Sequence, residues 1–199
     1  MQRILWIVLI LLVVGGGCAY MGGTSTYNQM VVQRESVDAQ WAQVENQYQR
    51  RADLIPNIVE SVKGYQNFEQ GVLVGVAEAR AKVGQLTVSK EVLENPALLD
   101  QFNKTQGEFG QAIQRLMSVT ENYPDLQANT NYMALIKELE GTENRISVER
   151  KKFNESAQAY NTLIKQFPKN IYANVFGFDE VAYFKATPGN ETAPKVNFN

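Results

Sequence analysis

The sequence contains no histidine and a single cysteine, Cys18, among its 199 residues. The lack of histidine removes the most common general base and metal ligand, and it excludes every Ser–His or Cys–His catalytic pair. One cysteine allows neither a disulfide framework nor a thiolate metal site within one chain. We therefore predict no catalytic residue, no cofactor site and no metal site. Catalysis by paired carboxylates stays formally open, but nothing specific supports it, and the chain is not expected to be an enzyme.

The sequence also lacks an excess of charge of either sign. The formal net charge is −2, and no basic cluster with interleaved aromatic residues is present, so a nucleic-acid partner is not expected. Hydrophobic residues make up 44% and charged residues 20% of the chain, which is ordinary globular composition. The chain is long enough for one domain with a hydrophobic core, an anchor and a tail.

The N-terminal segment is apolar, and no charged residue lies between Arg3 and Arg34. Residues 4–21 reach the roughly 20 residues that a bilayer-spanning helix needs only if three glycines are included. Two interpretations stay open: a retained single-pass anchor in residues 1–21, or a lipoprotein-type signal that is cleaved and acylated at Cys18. Because positive residues stay cytoplasmic, Arg3 favours an inner-membrane anchor with most of the protein outside the cytoplasm.

Beyond a flexible joint predicted at residues 22–26, apolar residues recur every three or four positions. This pattern predicts a helical domain over residues 27–185, followed by a disordered tail over residues 186–199. Pro56 allows a kinked long helix or two abutting ones, and the unbroken apolar phase favours the kink. The first stripe comprises Val37, Trp41, Val44, Tyr48, Ala52, Ile55, Val59 and Val62.

Residues 84–95 read as a connection with at most one helical turn, and Asn95 precedes Pro96 as a cap precedes a first helical residue. A second stripe follows, and the last helix carries an apolar residue at every seventh position. The aromatic residues are expected in the core. Striped helices must cover one another, so we predict an all-α fold, an elongated antiparallel bundle of long heptad-patterned helices. The heptad positions are Tyr132, Leu139, Ile146, Phe153, Tyr160 and Phe167.

Arg50, Arg51 and Asp53 are the sharpest candidates for a polar site. Arg51 falls close to the apolar stripe, so a buried guanidinium there needs a carboxylate partner. Asp53, Glu60, or an acid of the last helix such as Glu140 or Glu143 would serve. The group then acts as an interhelical ion pair or, with Arg80, as a recognition site for a partner or an anionic ligand.

Several motifs stand in the order of the LemA family, and together they span residues 27–184. The chain resembles that family, which implies a membrane-associated bacterial protein with an elongated antiparallel helical bundle. The resemblance implies no catalytic residues. The motifs are Tyr27-Asn28, Trp41, Gln47-Tyr-Gln-Arg-Arg-Ala-Asp-Leu-Ile-Pro-Asn57, Val62-Lys-Gly-Tyr65, Ala79-Arg80, Glu138-Leu-Glu-Gly-Thr-Glu-Asn-Arg-Ile146, Tyr160-Asn161 and Phe176-Gly-Phe178.

These features favour a non-enzymatic, membrane-anchored envelope scaffold or adaptor. It would assemble as a homo-oligomer, because an elongated bundle can extend its seam to a neighbour, or it would bind a membrane protein. The alternative is a sensor or binding module that holds a small anionic envelope ligand in a cleft near Arg50, Arg51 and Arg80.

Overall fold

The computed structural model describes residues 2–65, 68–86 and 91–185, and within them the chain is helical without strands. The all-α prediction is confirmed. The helices are α1 Gln2–Lys63, α2 Gln70–Gly84, α3 Glu91–Glu94, α4 Pro96–Thr120, α5 Pro124–Gln127, α6 Thr130–Lys165 and α7 Lys169–Phe176. Residues 178–185 follow as an extended segment along the bundle.

The bundle is built on the antiparallel pair of α1 and α6, with α2 and α4 packed beside it. Contacts between Ser36 and Ser156 and between Arg50 and Glu138 mark this antiparallel register. Helix α4 starts as predicted, because Asn95 accepts a hydrogen bond from the Ala97 amide and Pro96 occupies the first turn.

Helix α1 is 62 residues long, which corresponds to about 90 Å at the α-helical rise. It passes through Pro56 as one helix, so the single-helix interpretation is confirmed over two abutting helices. The flexible joint predicted at residues 22–26 is wrong, because these residues are helical. The Tyr172 ring lies 3.1 Å from the place of a Cβ on Gly23, so this glycine allows close packing rather than flexibility.

The predicted apolar stripes form the core. Seven positions of the α4 stripe are buried, and five of the six predicted heptad positions lie on α6 and are buried. Phe167 corrects the heptad prediction: α6 ends at Lys165, and the Phe167 side chain is 83% exposed. The buried α4 positions are Leu99, Phe102, Gln106, Phe109, Ile113, Leu116 and Thr120.

Among the residues that the structure describes, no helix combines the length and the apolar character that crossing a membrane requires. The N-terminal anchor therefore stays a prediction. The tail predicted to be disordered, residues 186–199, lies outside the described residues.

Helix continuity across residues 22–26 can be tested with spin labels at Ile10→Cys and Val32→Cys in a Cys18→Ser background. In a continuous helix these sites stand about 33 Å apart, so double electron–electron resonance should give one narrow distance distribution. Gly22→Pro should broaden it, since an interior proline costs about 3 kcal/mol or more. The matched control Gly22→Ala should keep it narrow, because nothing lies within 4 Å of the added methyl group. A broad distribution in the unmodified background would support the flexible joint instead.

Candidate functional site

Arg51 is buried in the bundle, with 3% of its surface exposed. Its Nη1 donates to Glu143 Oε1 of α6 at 2.7 Å, and its Nη2 donates to Gln106 Oε1 of α4 at 2.5 Å and to the Gln106 carbonyl at 3.2 Å. The rings of Tyr48 and Phe109 lie 5.1 and 5.2 Å from its guanidinium carbon, within cation–π range. One side chain of α1 thus binds both α4 and α6.

Arg51, Gln106 and Glu143 form a polar layer between two hydrophobic clusters. We name these the proximal and the distal cluster, by their distance from the start of α1. Arg51 and Gln106 fall between them in sequence on α1 and α4. The proximal cluster includes Trp41, Tyr48, Phe102, Ile146, Phe153 and Tyr160. The distal cluster includes Ile55, Ile58, Phe109, Leu116, Tyr132 and Leu139.

The other acidic candidates do not reach Arg51. Asp53 accepts a hydrogen bond from Gln49 at 2.9 Å, and Glu60 accepts one from Lys63 at 2.8 Å, so both serve contacts within α1. Arg50 forms a second α1–α6 pair with Glu138 at 2.6 Å, but both side chains are about half exposed. Arg50 and Arg51 thus both form interhelical ion pairs.

Arg80 donates a hydrogen bond to the backbone of α1. Pro56 has no amide hydrogen, so the carbonyl of Ala52, four residues earlier, loses its helical donor. The Nε of Arg80, on α2, donates to that carbonyl at 2.9 Å. The proline and the arginine therefore form one unit: the cation replaces the hydrogen bond that the proline removes.

A cleft of about 390 Å³ lies beside this unit, between α1, α2 and α4. Arg80 lines it, and so do Glu45, Gln49 and Gln106, but Arg50 and Arg51 do not. Burial raises the pKa of Glu45, against the effect of the neighbouring Trp41 indole. The three arginines do not converge on this cleft, so its geometry gives little support to an anionic ligand.

Two asparagines of α6 hold the C-terminal segment: Asn161, which belongs to the Tyr160-Asn161 motif, and Asn154, which was not among the predicted site residues. The Asn161 side chain donates to the Val181 carbonyl at 2.8 Å and accepts from the Val181 amide at 2.9 Å. Asn154 makes the same pair of bonds with Phe184, at 2.9 Å each. The two side chains stand seven residues apart, which places them on the same face of α6. This seven-residue spacing is the feature of the sequence that could have predicted their shared role.

Arg34 is a further residue that the sequence prediction missed. It contacts Asp38 at 3.3 Å and Glu94 of α3 at 2.8 Å, and its guanidinium carbon lies 5.9 Å from the Tyr160 ring centroid. It ties the short α3 segment to the α1–α6 pair. Its signal in the sequence was only a single i,i+4 pair with Asp38.

Within residues 2–65, 68–86 and 91–185, no group of His, Cys, Asp or Glu side chains is arranged to hold a metal ion. The backbone at Cys18 belongs to α1, and lipidation of this residue stays a prediction. Arg50, Arg51, Asp53, Glu60 and Arg80 thus form contacts within and between helices of the bundle.

Comparison with known proteins gives matches over most of the chain. A family model described as the LemA family matches residues 40–198. Magnetosome protein MamQ of Magnetospirillum gryphiswaldense is 29% identical over 186 residues, which cover 83% of this chain and 67% of MamQ. Magnetosome protein MamQ 2 of Paramagnetospirillum magneticum is 29% identical over 182 residues, with the same coverage. Protein LemA of Metamycoplasma hominis is 24% identical over 187 residues, covering 94% of this chain and 80% of that protein.

The neighbouring arginines provide a matched test of the polar layer. Arg51→Ala should lower the free energy of unfolding by about 3 kcal/mol, because it leaves a cavity and an unpaired Gln106 side chain. Arg50→Ala should cost at most about 0.5 kcal/mol, since its ion pair is solvent-exposed. Urea unfolding of the full chain in mild detergent measures both. Equal losses for the two variants would contradict the structural role of Arg51.

The Pro56–Arg80 unit can be tested by a double-mutant cycle. Arg80→Ala should cost about 1 kcal/mol, because it strips a partly buried carbonyl of its donor. In a Pro56→Ala background the restored amide bonds to the Ala52 carbonyl, so the same arginine substitution should cost little. Unfolding free energies of the four proteins give the coupling, and strict additivity would refute it.

Proposed function

The chain belongs to the LemA family, and from this premise we propose that it is a non-enzymatic, membrane-anchored scaffold or adaptor of the bacterial envelope. It assembles with further copies of itself or with a membrane protein. The candidate charged residues support this proposal, because contacts between helices occupy the three arginines and contacts within α1 occupy Asp53 and Glu60. MamQ is named as a magnetosome protein and the Metamycoplasma hominis relative as protein LemA, and neither name is that of an enzyme.

One observation carries the proposal: the helix that supplies the core stripe of the bundle begins in the apolar N-terminal run. At its start, Trp6, Ile7, Leu9 and Ile10 are about half exposed or more. Large apolar side chains grouped in this way need an apolar environment. A lipid bilayer around this end would leave the bundle as a rigid extension of the anchor.

The form of the anchor is part of the proposal. We favour a retained span over residues 4–21 with Arg3 on the cytoplasmic side, so the bundle projects away from the cytoplasm. Lipidation at Cys18 is the alternative. The two forms differ in mass, because lipidation at Cys18 follows removal of the preceding residues.

Anchoring is tested with the full chain expressed in a bacterial host. We expect the protein to stay in the membrane after alkaline carbonate washing, and its intact mass to include Met1 to Arg3. Ile7→Lys with Ile10→Lys should release it, since each lysine in a span costs about 2.5–3.5 kcal/mol. Val32→Lys is the matched control on the same helix, and that variant should stay bound.

Assembly is tested on the same preparation by chemical crosslinking in membranes and by native mass spectrometry after detergent extraction. Oligomers, or one reproducible membrane-protein partner, are expected. A strict monomer at every concentration with no crosslinked partner would contradict the scaffold. Steady substrate turnover that disappears with Asp53→Asn or Glu60→Gln would contradict the non-enzymatic assignment.

A further inference from the structure

Helix α7 presents an apolar face to solvent. Ile171 and Val175 are one helical turn apart, and 52% and 72% of their surfaces are exposed; Phe176 is 48% exposed. Ala173 is buried against the bundle. An eight-residue helix that exposes three large apolar side chains to water indicates a binding surface for an apolar partner, called here the occupant of α7.

The position of α7 indicates that occupant. The Tyr172 ring packs on Gly23 of α1, at 3.1 Å from the place of a Cβ. The ring of Tyr27, also on α1, meets those of Phe176 and Phe178 edge-on at centroid distances of 5.1 and 5.5 Å. Gly177, with φ of 73°, ends α7 and turns the chain so that Phe178 reaches Tyr27. Helix α7 therefore docks on the part of α1 that directly follows the apolar run.

The rise of about 1.5 Å per residue gives the distance of each α7 contact from the end of the apolar run, measured along the axis of α1. Gly23 lies two residues beyond Met21, which is about 3 Å along the axis of α1. Gln29, which accepts a hydrogen bond from Lys169 at the start of α7, lies about 12 Å beyond Met21. The headgroup layer on each side of a bilayer is about 5–8 Å thick. With residues 4–21 in the hydrocarbon core, the contacts of α7 with α1 lie between about 3 and 12 Å from the edge of that core, in the headgroup layer and just outside it.

Charge and area both favour lipid over protein as the occupant. Lys165 and Lys169 are balanced by Asp179 and Glu180, and Lys165 pairs with Glu180 at 2.6 Å. No net charge therefore directs a charged partner here. Three side chains are also far fewer than the 20–30 residues per side of a stable protein interface. An interfacial helix, in contrast, needs only a shallow insertion of its apolar face.

We propose that α7 is an interfacial helix that inserts Ile171, Val175 and Phe176 into the outer part of the bilayer beside the anchor. Two attachment points on one membrane fix the tilt of α1, and with it the direction in which the bundle projects. This inference rests on the membrane anchoring proposed above, and the experiment separates the two.

The test uses the full chain with Cys18→Ser, reconstituted in phosphatidylcholine vesicles and labelled with an environment-sensitive NBD fluorophore at Val175→Cys. The matched control carries the label at Val148→Cys on α6. Val148 is an equally large, half-exposed apolar residue. On α6 it lies between Glu143, which contacts Arg51, and Tyr160, whose ring lies next to Arg34, so it is farther from the apolar run than α7 is. Spin-labelled phosphatidylcholine with the quencher near the headgroup is the probe, and an alkaline wash verifies anchoring.

We expect blue-shifted emission and strong quenching at position 175, and neither effect at position 148. Adding phosphatidylglycerol or raising the salt concentration should change little, because the charges around α7 cancel. If the chain stays anchored and position 175 is no more quenched than position 148, the interfacial helix is refuted and the anchor stands. Blue-shifted emission without lipid quenching would show that protein covers the face, and would also refute it. Release by the wash would refute the anchor itself.

Discussion

The structure depends on one buried guanidinium. Arg51 holds α4 and α6 to α1 between two hydrophobic clusters, and its charge is partly compensated by Glu143. A buried ion pair adds little net stability, but an uncompensated buried charge is costly. Sliding α6 by one turn, about 5.4 Å, would remove the carboxylate and leave the cation with uncharged partners, the Gln106 oxygens and two aromatic rings. Apolar contacts tolerate such a shift better, so the Arg51–Glu143 pair favours the register in which both clusters pack.

A second constraint is that every buried backbone group needs a partner. A helical bundle has no sheet ladder to offer, so side chains supply the missing bonds where the chain departs from a regular helix. Arg80 does so for the Ala52 carbonyl that Pro56 leaves without a donor. Asn154 and Asn161 do so for the extended C-terminal segment, each acting as a donor and an acceptor toward one residue. Polar residues that resemble a binding site in sequence therefore complete the architecture.

This use of polar residues bears on function. When arginines, acids and amides are engaged by the bundle itself, activity is better sought on the surface and at the ends of the rod than in a cleft. The apolar N-terminal run and the exposed face of α7 lie at the same end, joined by the continuous helix α1. A helical bundle with exposed apolar side chains at this end suits the membrane-anchored scaffold or adaptor proposed for this LemA family member.

The sequence by itself determined the all-helical class, the buried stripes, the Asn95 cap and the need of Arg51 for an acidic partner. These follow from the helical period and from short-range capping chemistry, which act over a few residues. Only the tertiary structure decided that Glu143 is that partner, that Arg80 serves the carbonyl freed by Pro56, and that residues 22–26 stay helical under Tyr172. It also decided that Phe167 leaves the heptad. These contacts join residues far apart in the chain, 92 positions for Arg51 and Glu143 and 28 for Arg80 and Ala52, and no local pattern specifies which distant side chain arrives.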